Sequence, residues 1–170
     1  MPRGYQEEEE KNWYDAAQIC PNGHVVNATS VSFPEGNKKF CNKCGEPTIT
    51  ACQSCNSPIQ GILHISGSGF SSFEYAPPRF CHECGSIYPW TKVRLEAARE
   101  LADELNLSNE EKETLKQSIK DLVQDTPRTQ VAASRFKRLV AKAGPQVGAM
   151  FRDILVDVLS ETAKKTLFPQ

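Results

Sequence analysis

The hexapeptide Phe40-Cys41-Asn42-Lys43-Cys44-Gly45 returns forty residues later as Phe80-Cys81-His82-Glu83-Cys84-Gly85. A self-match of this kind marks a repeated structural unit, and both copies are Cys-x-x-Cys-Gly knuckles. Two thiolates separated by two residues can face one metal ion across a tight turn. The glycine that follows supplies the φ > 0 backbone that closes the turn. A knuckle brings two ligands to a four-ligand site, so each needs a second pair.

For the second knuckle that pair is Cys52-Gln53-Ser54-Cys55, giving Cys-x2-Cys-x25-Cys-x2-Cys over residues 52–84, a zinc-ribbon spacing. The first knuckle has no Cys-x-x-Cys upstream, but Cys20-Pro21-Asn22-Gly23-His24 stands in its place, with an imidazole one residue beyond the usual ligand position. The expected sites are therefore Cys20, His24, Cys41 and Cys44 for one Zn²⁺ and Cys52, Cys55, Cys81 and Cys84 for a second. Together they use all seven cysteines of the chain. The repeat favours this sequential grouping, because in both units the Phe-led knuckle comes second. A cross-brace (Cys20 and His24 with Cys52 and Cys55) and a nested arrangement with 41–44 and 52–55 as the inner site stay open. Four protein ligands per ion make a closed, structural site, whereas a catalytic zinc keeps a position open for water or substrate. A redox Cys-x-x-Cys would need a βαβ context that the surrounding sequence lacks.

The cysteines all fall between Cys20 and Cys84, and the chain divides accordingly. Residues 1–10, with Glu7 to Glu10, read as an acidic solvated tail. Residues 20–90 are rich in Gly, Pro, Asn and Ser with short apolar runs, which predicts a double zinc ribbon of β-hairpins and knuckles over residues 11–90. Residues 91–170 read as an all-α region of three to four helices, so the fold class is small α+β. Thr91 is placed to cap a first helix with Leu95, Ala98, Leu101, Ala102 and Leu105 on one face. Ser108 and Glu111 form a capping box for a second. Pro127 opens a third, with Phe136, Leu139, Val140 and Ala143 as its apolar stripe, ended by Gly144-Pro145. One last helix carries Val147, Met150, Phe151, Ile154, Leu155, Val158 and Leu159.

A net charge of −1 over 170 residues excludes a globally basic nucleic-acid binder, and no apolar run approaches the ~20 residues of a membrane span. The N-terminal sequence is neither basic nor apolar enough for a secretory signal, which predicts a reducing cytoplasmic setting for the thiols. The third helix gathers Arg128, Arg135, Arg138 and Lys142 on one face, suited to phosphate or an acidic surface, although a solvated face is the plainer account. Val147, Phe151, Ile154 and Val158 follow heptad-like spacing that would suit a homo-oligomer, with core packing the commoner use. Residues 66–75 carry Phe70, Phe73 and Tyr75 on a Gly/Ser-rich run, for a partner or to cover the ribbon. His64 and His82 are spare histidines, since the ligand count closes without them. Asp153, Asp157 and Glu161 read as a solvent stripe, and no nucleophile, P-loop or HExxH pattern is present.

Taken together, Tyr14 to Cys20 with Asn22-Gly23-His24, the three Cys-x-x-Cys pairs, Pro89-Trp90, Asp125-Thr126-Pro127 and the stretch Arg152 to Asp157 give the chain its resemblance to a family of bacterial cytoplasmic proteins carrying a zinc-knuckle domain of unknown function. The resemblance implies a bacterial source, an N-terminal double zinc ribbon and a helical C-terminal region, and it brings no activity with it. The expected function is a non-enzymatic zinc-binding adaptor that recognises a protein partner. A nucleic-acid-binding ribbon protein and an accessory subunit of an enzyme are the alternatives.

Overall fold

A computed structural model describes residues 12–65 and 74–168. The acidic tail and residues 66–73 of the aromatic run lie outside the described residues. The chain divides between Ser86 and Ile87 into two units.

The first unit is built from very short strands. β1 (Trp13–Ala16) pairs antiparallel with β4 (Gln60–His64), matching Trp13 with His64, Tyr14 with Leu63 and Ala16 with Gln60. β2 (Gln18–Ile19) forms a hairpin with β3 (Val25–Asn27), with Cys20 to His24 in its turn. Three stretches of backbone crowd together at Gly61, where a Cβ would lie 2.4 Å from the Ala28 carbonyl oxygen and 2.9 Å from the backbone of Ala16. Only glycine leaves room for the Ile62 N–H to reach the Ala28 carbonyl at 3.0 Å. Ladders this short are marginal by themselves, and the apolar core beneath them is small. Ala17, Ile19 and Ile59 are fully buried, and the other buried apolar side chains are Cys20, Cys41, Cys52 and Cys81. Tyr75, the described member of the aromatic run, folds back so that its hydroxyl donates to the Gln60 carbonyl at 2.5 Å.

Among its described residues the second unit has five helices: α1 (Pro89–Glu104), α2 (Asn109–Val123), α3 (Thr129–Ala143), α4 (Pro145–Leu155) and α5 (Glu161–Leu167). The capping box forms as the sequence predicts, Ser108 Oγ accepting from the Glu111 N–H and Glu111 Oε2 from the Ser108 N–H. Leu115, Ile119, Leu122, Phe136, Leu139, Phe151 and Leu155 fill the core, with the Phe136 and Phe151 rings edge to face at 5.2 Å.

Three details differ from expectation. α1 begins at Pro89, its N-cap Tyr88, because Pro at the first helical position extends the helix ahead of Thr91. Pro127 lies in the turn before α3, where the Thr129 hydroxyl donates to the Gln124 carbonyl and accepts from the Thr126 N–H. The single last helix is two helices, for a physical reason. The Ser160 N–H donates to the Leu122 carbonyl at the end of α2, and the Ser160 side chain accepts from the Ala163 N–H as the cap of a new helix. The heptad-like set Val147, Phe151, Ile154 and Val158 consequently does not lie along one helix, and Phe151 and Val158 are buried in this unit's own core. The carboxylate stripe breaks at the same place. Asp157 pairs with Arg94 at 2.7 Å, and Glu161 starts α5, where it pairs with Lys164. No helix among the described residues is long and apolar enough to cross a membrane.

Candidate metal centres

Three stretches of the first unit fold to the same backbone pattern. In each, the first cysteine's N–H donates to the carbonyl five residues on, and its carbonyl accepts from the N–H four residues on. The pairs are Cys41 with Glu46 and Gly45, Cys52 with Ser57 and Asn56, and Cys81 with Ser86 and Gly85. The residue after the second cysteine is left-handed every time, at φ 78° for Gly45, 62° for Asn56 and 70° for Gly85. Asparagine tolerates this region better than other side chains, so Ala51-Cys52-Gln53-Ser54-Cys55-Asn56 is a third copy of the knuckle that the Phe and Gly of the hexapeptide repeat conceal.

The fourth turn is built differently. Gly23, at φ 86°, donates to the Cys20 carbonyl, and the Cys20 N–H donates to the His24 carbonyl. This turn carries its second ligand at the fourth following residue, where an imidazole reaches the place a thiolate takes elsewhere.

Backbone pairing brings the Cys20–His24 turn to the first knuckle. Ile19 and Ile49 exchange both hydrogen bonds at 2.9 Å, holding the Cys20–His24 turn against the Cys41–Cys44 knuckle. The outcome is two separate clusters, Cys20/His24/Cys41/Cys44 and Cys52/Cys55/Cys81/Cys84, each with its four donor atoms within 4.8 Å of one another. The grouping is sequential, neither cross-braced nor nested. His64 and His82 stay outside both clusters, His64 bonded to Asp15 at 3.0 Å and His82 near Glu83 at 3.4 Å.

The donor separations test whether one ion fits. Metal–sulfur bonds of ~2.3 Å at tetrahedral angles put neighbouring sulfurs about 3.8 Å apart, and a sulfur and an imidazole nitrogen about 3.5 Å apart. Here Cys20 Sγ and Cys44 Sγ are 3.7 Å apart, Cys52 and Cys84 3.8 Å, and Cys55 and Cys81 3.7 Å, while His24 Nδ1 lies 3.5 Å from both Cys20 Sγ and Cys41 Sγ. Both clusters are therefore geometrically able to hold a tetrahedral metal ion, the first through Nδ1 of its histidine. All seven cysteines are free thiols.

Local hydrogen bonds prepare some of these thiols to ionise. The Asn22 side chain and the Glu46 N–H hold Cys44 down to about 6, and the N–H groups of Cys84 and Glu83 hold Cys81 down to about 6. Burial pushes Cys20 the other way. An ion that binds displaces the remaining protons, because the ligating form is the thiolate.

Of the basic residues expected on one face of α3, Arg128 pairs with Asp121 at 3.8 Å and Lys142 with Glu111 at 2.6 Å, while Arg135 and Arg138 stay exposed. No curated protein and no solved structure matches the chain. The sequence model of a bacterial family does match it, over residues 13–167. That span takes in both units and all eight donors, and the chain belongs to this family, described as an uncharacterized protein conserved in bacteria (DUF2321).

Proposed function

We propose that the chain is a non-enzymatic zinc-binding adaptor of the reducing cytoplasm, in which two structural Zn²⁺ ions stiffen the first unit so that it can recognise a protein partner. The observation that carries this reading is the closure of both ligand sets. Each cluster supplies four donors at tetrahedral separations, and sulfur-rich tetrahedral sets of this kind suit zinc. Cys20, His24, Cys41 and Cys44 hold one ion, and Cys52, Cys55, Cys81 and Cys84 the other. Four protein ligands leave no position for water or substrate, so the ions serve the fold.

Elemental analysis of the purified chain tests the metal directly. The expected result is two zinc per chain, both retained in His24→Cys and one weakened in His24→Ala. A single zinc in the wild type, or full retention in His24→Ala, overturns the ligand assignment.

A second reading, nucleic-acid binding through α3, rests on Arg135 and Arg138, which are exposed with no partner among the described residues. It predicts affinity that falls steeply with salt and drops when Arg135 and Arg138 become Glu. A salt-independent or absent gel shift removes it. The accessory-subunit reading has as its polar feature the charged hollow of the second unit lined by Arg99, Asp103, Glu113 and Lys116, in which Lys116 pairs with Asp103 at 2.6 Å and with Glu113 at 3.1 Å.

A further inference from the structure

The second unit contains a cavity of about 200 Å³ where α3, α4 and the end of α5 meet. Phe136 and Val140 of α3, Pro145 and Gly148 of α4, and Leu167 and Phe168 at the end of α5 surround it. Gly148 has no side chain to fill this space: a Cβ there would meet Val140 Cγ1 at 3.6 Å, an ordinary contact, and nothing closer. Phe168 is fixed as a wall from two sides. Its N–H donates to the Lys164 carbonyl at 2.8 Å, and the Arg152 guanidinium lies 5.1 Å from its ring centre.

The lining suits a hydrocarbon better than a peptide. At the helix ends, the Gly144 N–H donates to the Val140 carbonyl at 3.2 Å, the Phe168 N–H is engaged with Lys164, and Pro145 has no N–H. A peptide carbonyl would find no backbone donor there and would be buried without a partner, whereas an alkyl chain asks for none. An apolar cavity of roughly 150 Å³ takes benzene, so this one has room for a chain of about six to eight carbons.

Charge selects what the chain carries. Lys137 is the charged residue of the lining, and it has no ion pair or hydrogen bond among the described residues. The stretches that build the walls, 134–150 and 162–168, contain Arg135, Lys137, Arg138, Lys142, Lys164 and Lys165 and no Asp or Glu. Lys142 and Lys164 are matched by Glu111 and Glu161. Arg152 and Asp153, the next charged residues along α4, are of opposite sign. Arg135, Lys137, Arg138 and Lys165 are left in excess, so a negative headgroup is attracted and a positive one repelled.

We propose that this cavity binds a medium-chain aliphatic carboxylate, its chain among Phe136, Val140, Leu167 and Phe168 and its headgroup at Lys137. The site lies wholly in the second unit, so the proposal goes beyond the adaptor reading and does not rest on it.

The test is calorimetric titration of the full zinc-loaded chain with hexanoate, octanoate and octanol. Octanoate should bind more tightly than hexanoate, by about fourfold per added methylene, and more tightly than octanol. Lys137→Gln should weaken octanoate by about two- to fivefold, the range of an exposed ion pair, and leave octanol unchanged. Gly148→Leu puts a side chain into the cavity and should abolish binding of both, while the helical unfolding midpoint holds or rises because Leu favours a helix over Gly. If that midpoint falls instead, Gly148→Ala, whose Cβ fits, carries the comparison and should weaken octanoate.

No saturable binding of octanoate overturns the proposal. Octanol bound as tightly as octanoate, or octanoate indifferent to Lys137→Gln, overturns the carboxylate. Binding that survives both Gly148 variants places the ligand elsewhere and overturns the site. Pro169 and Gln170 lie outside the described residues, and a chain ending at Phe168 should bind octanoate as the full chain does. Binding about tenfold tighter in the shortened chain would make its own last residues the occupant and overturn the proposal as well.

Discussion

The two units solve the same problem by opposite means. The second, beginning at Ile87, buries Leu115, Ile119, Leu122, Phe151, Leu155 and Leu159 among helices, with all six essentially inaccessible to solvent. The first has Ala17, Ile19 and Ile59 at its centre, on strands of two to five residues. What the first lacks in apolar surface it replaces with eight donor atoms in two clusters. Small polar regions need such staples, since a core of this size does not offset the conformational entropy of the chain. The contrast extends to exposed side chains. Trp13, Tyr14, Phe33 and Phe40 are all exposed in the first unit, whereas the large apolar residues exposed in the second are Ile87, Val93, Val131 and Met150. The first unit, with its small apolar core, leaves these aromatic side chains at the surface, whereas the second buries Tyr88, Trp90, Phe136 and Phe151.

Chelation should break the symmetry most. Structural zinc supplies apparent binding energies on the order of 10–16 kcal/mol, so removing it should collapse the amide dispersion of residues 12–65 and 74–86 in NMR spectra while the helical circular dichroism persists. Equal loss of both signals would show that the units do not differ in this way. The reciprocal experiment is Ile119→Ala, expected to cost about 2–5 kcal/mol for a fully buried side chain, lowering the helical unfolding midpoint with two zinc still bound.

Asp15 sharpens the comparison on the side of the first unit. Burial alone would raise its carboxyl, but hydrogen bonds from Ser32, Val31, His64 and Ala16 outweigh this and hold it below the usual carboxylate value. A lowered folded-state value means that the stabilisation is complete above the ordinary carboxylate range and is lost as pH falls through the lowered value. Denaturant midpoints of wild type and Asp15→Asn should converge on acidification. Because the two proteins are compared at each pH, loss of metal by thiolate protonation cancels.

Gly45→Ala, which puts a Cβ at φ 78°, and Ser108→Ala, which removes a helix cap, should each cost about 1 kcal/mol. The first should speed metal transfer to a chelator and the second should not. Asn56→Gly should be smallest, a change of a few tenths of a kcal/mol at a position that is already left-handed.

Much of this was legible beforehand where chemistry demands a residue type at a fixed spacing. The cysteine pairs, the imidazole of His24 and the Ser108/Glu111 box are such places, and the structure brings each set together locally. Asn56 was obscured because a left-handed asparagine performs glycine's task without looking like it. The break at Ser160 depends on the Leu122 carbonyl, an acceptor distant in sequence, although Ser160-Glu161 itself has the composition of a helix start. The loop at 28–37 was the least readable part. Its order comes from Asn27, Asn37 and Asp15 bonding to backbone groups, and polar residues among glycines and prolines read as turns whether or not they form a network.

The sequential grouping of ligands also sets how the chain can be assembled in time. The Cys20–Cys44 and Cys52–Cys84 contacts span 24 and 32 residues without interleaving, and the costs of closing loops of those lengths differ by only about 0.3 kcal/mol. Neither cluster draws a donor from the other's span. During synthesis residues 20–44, which carry the four donors of the first cluster, leave the ribosome ahead of residues 52–84, so the two donor sets become available one after the other, from the N-terminus onward.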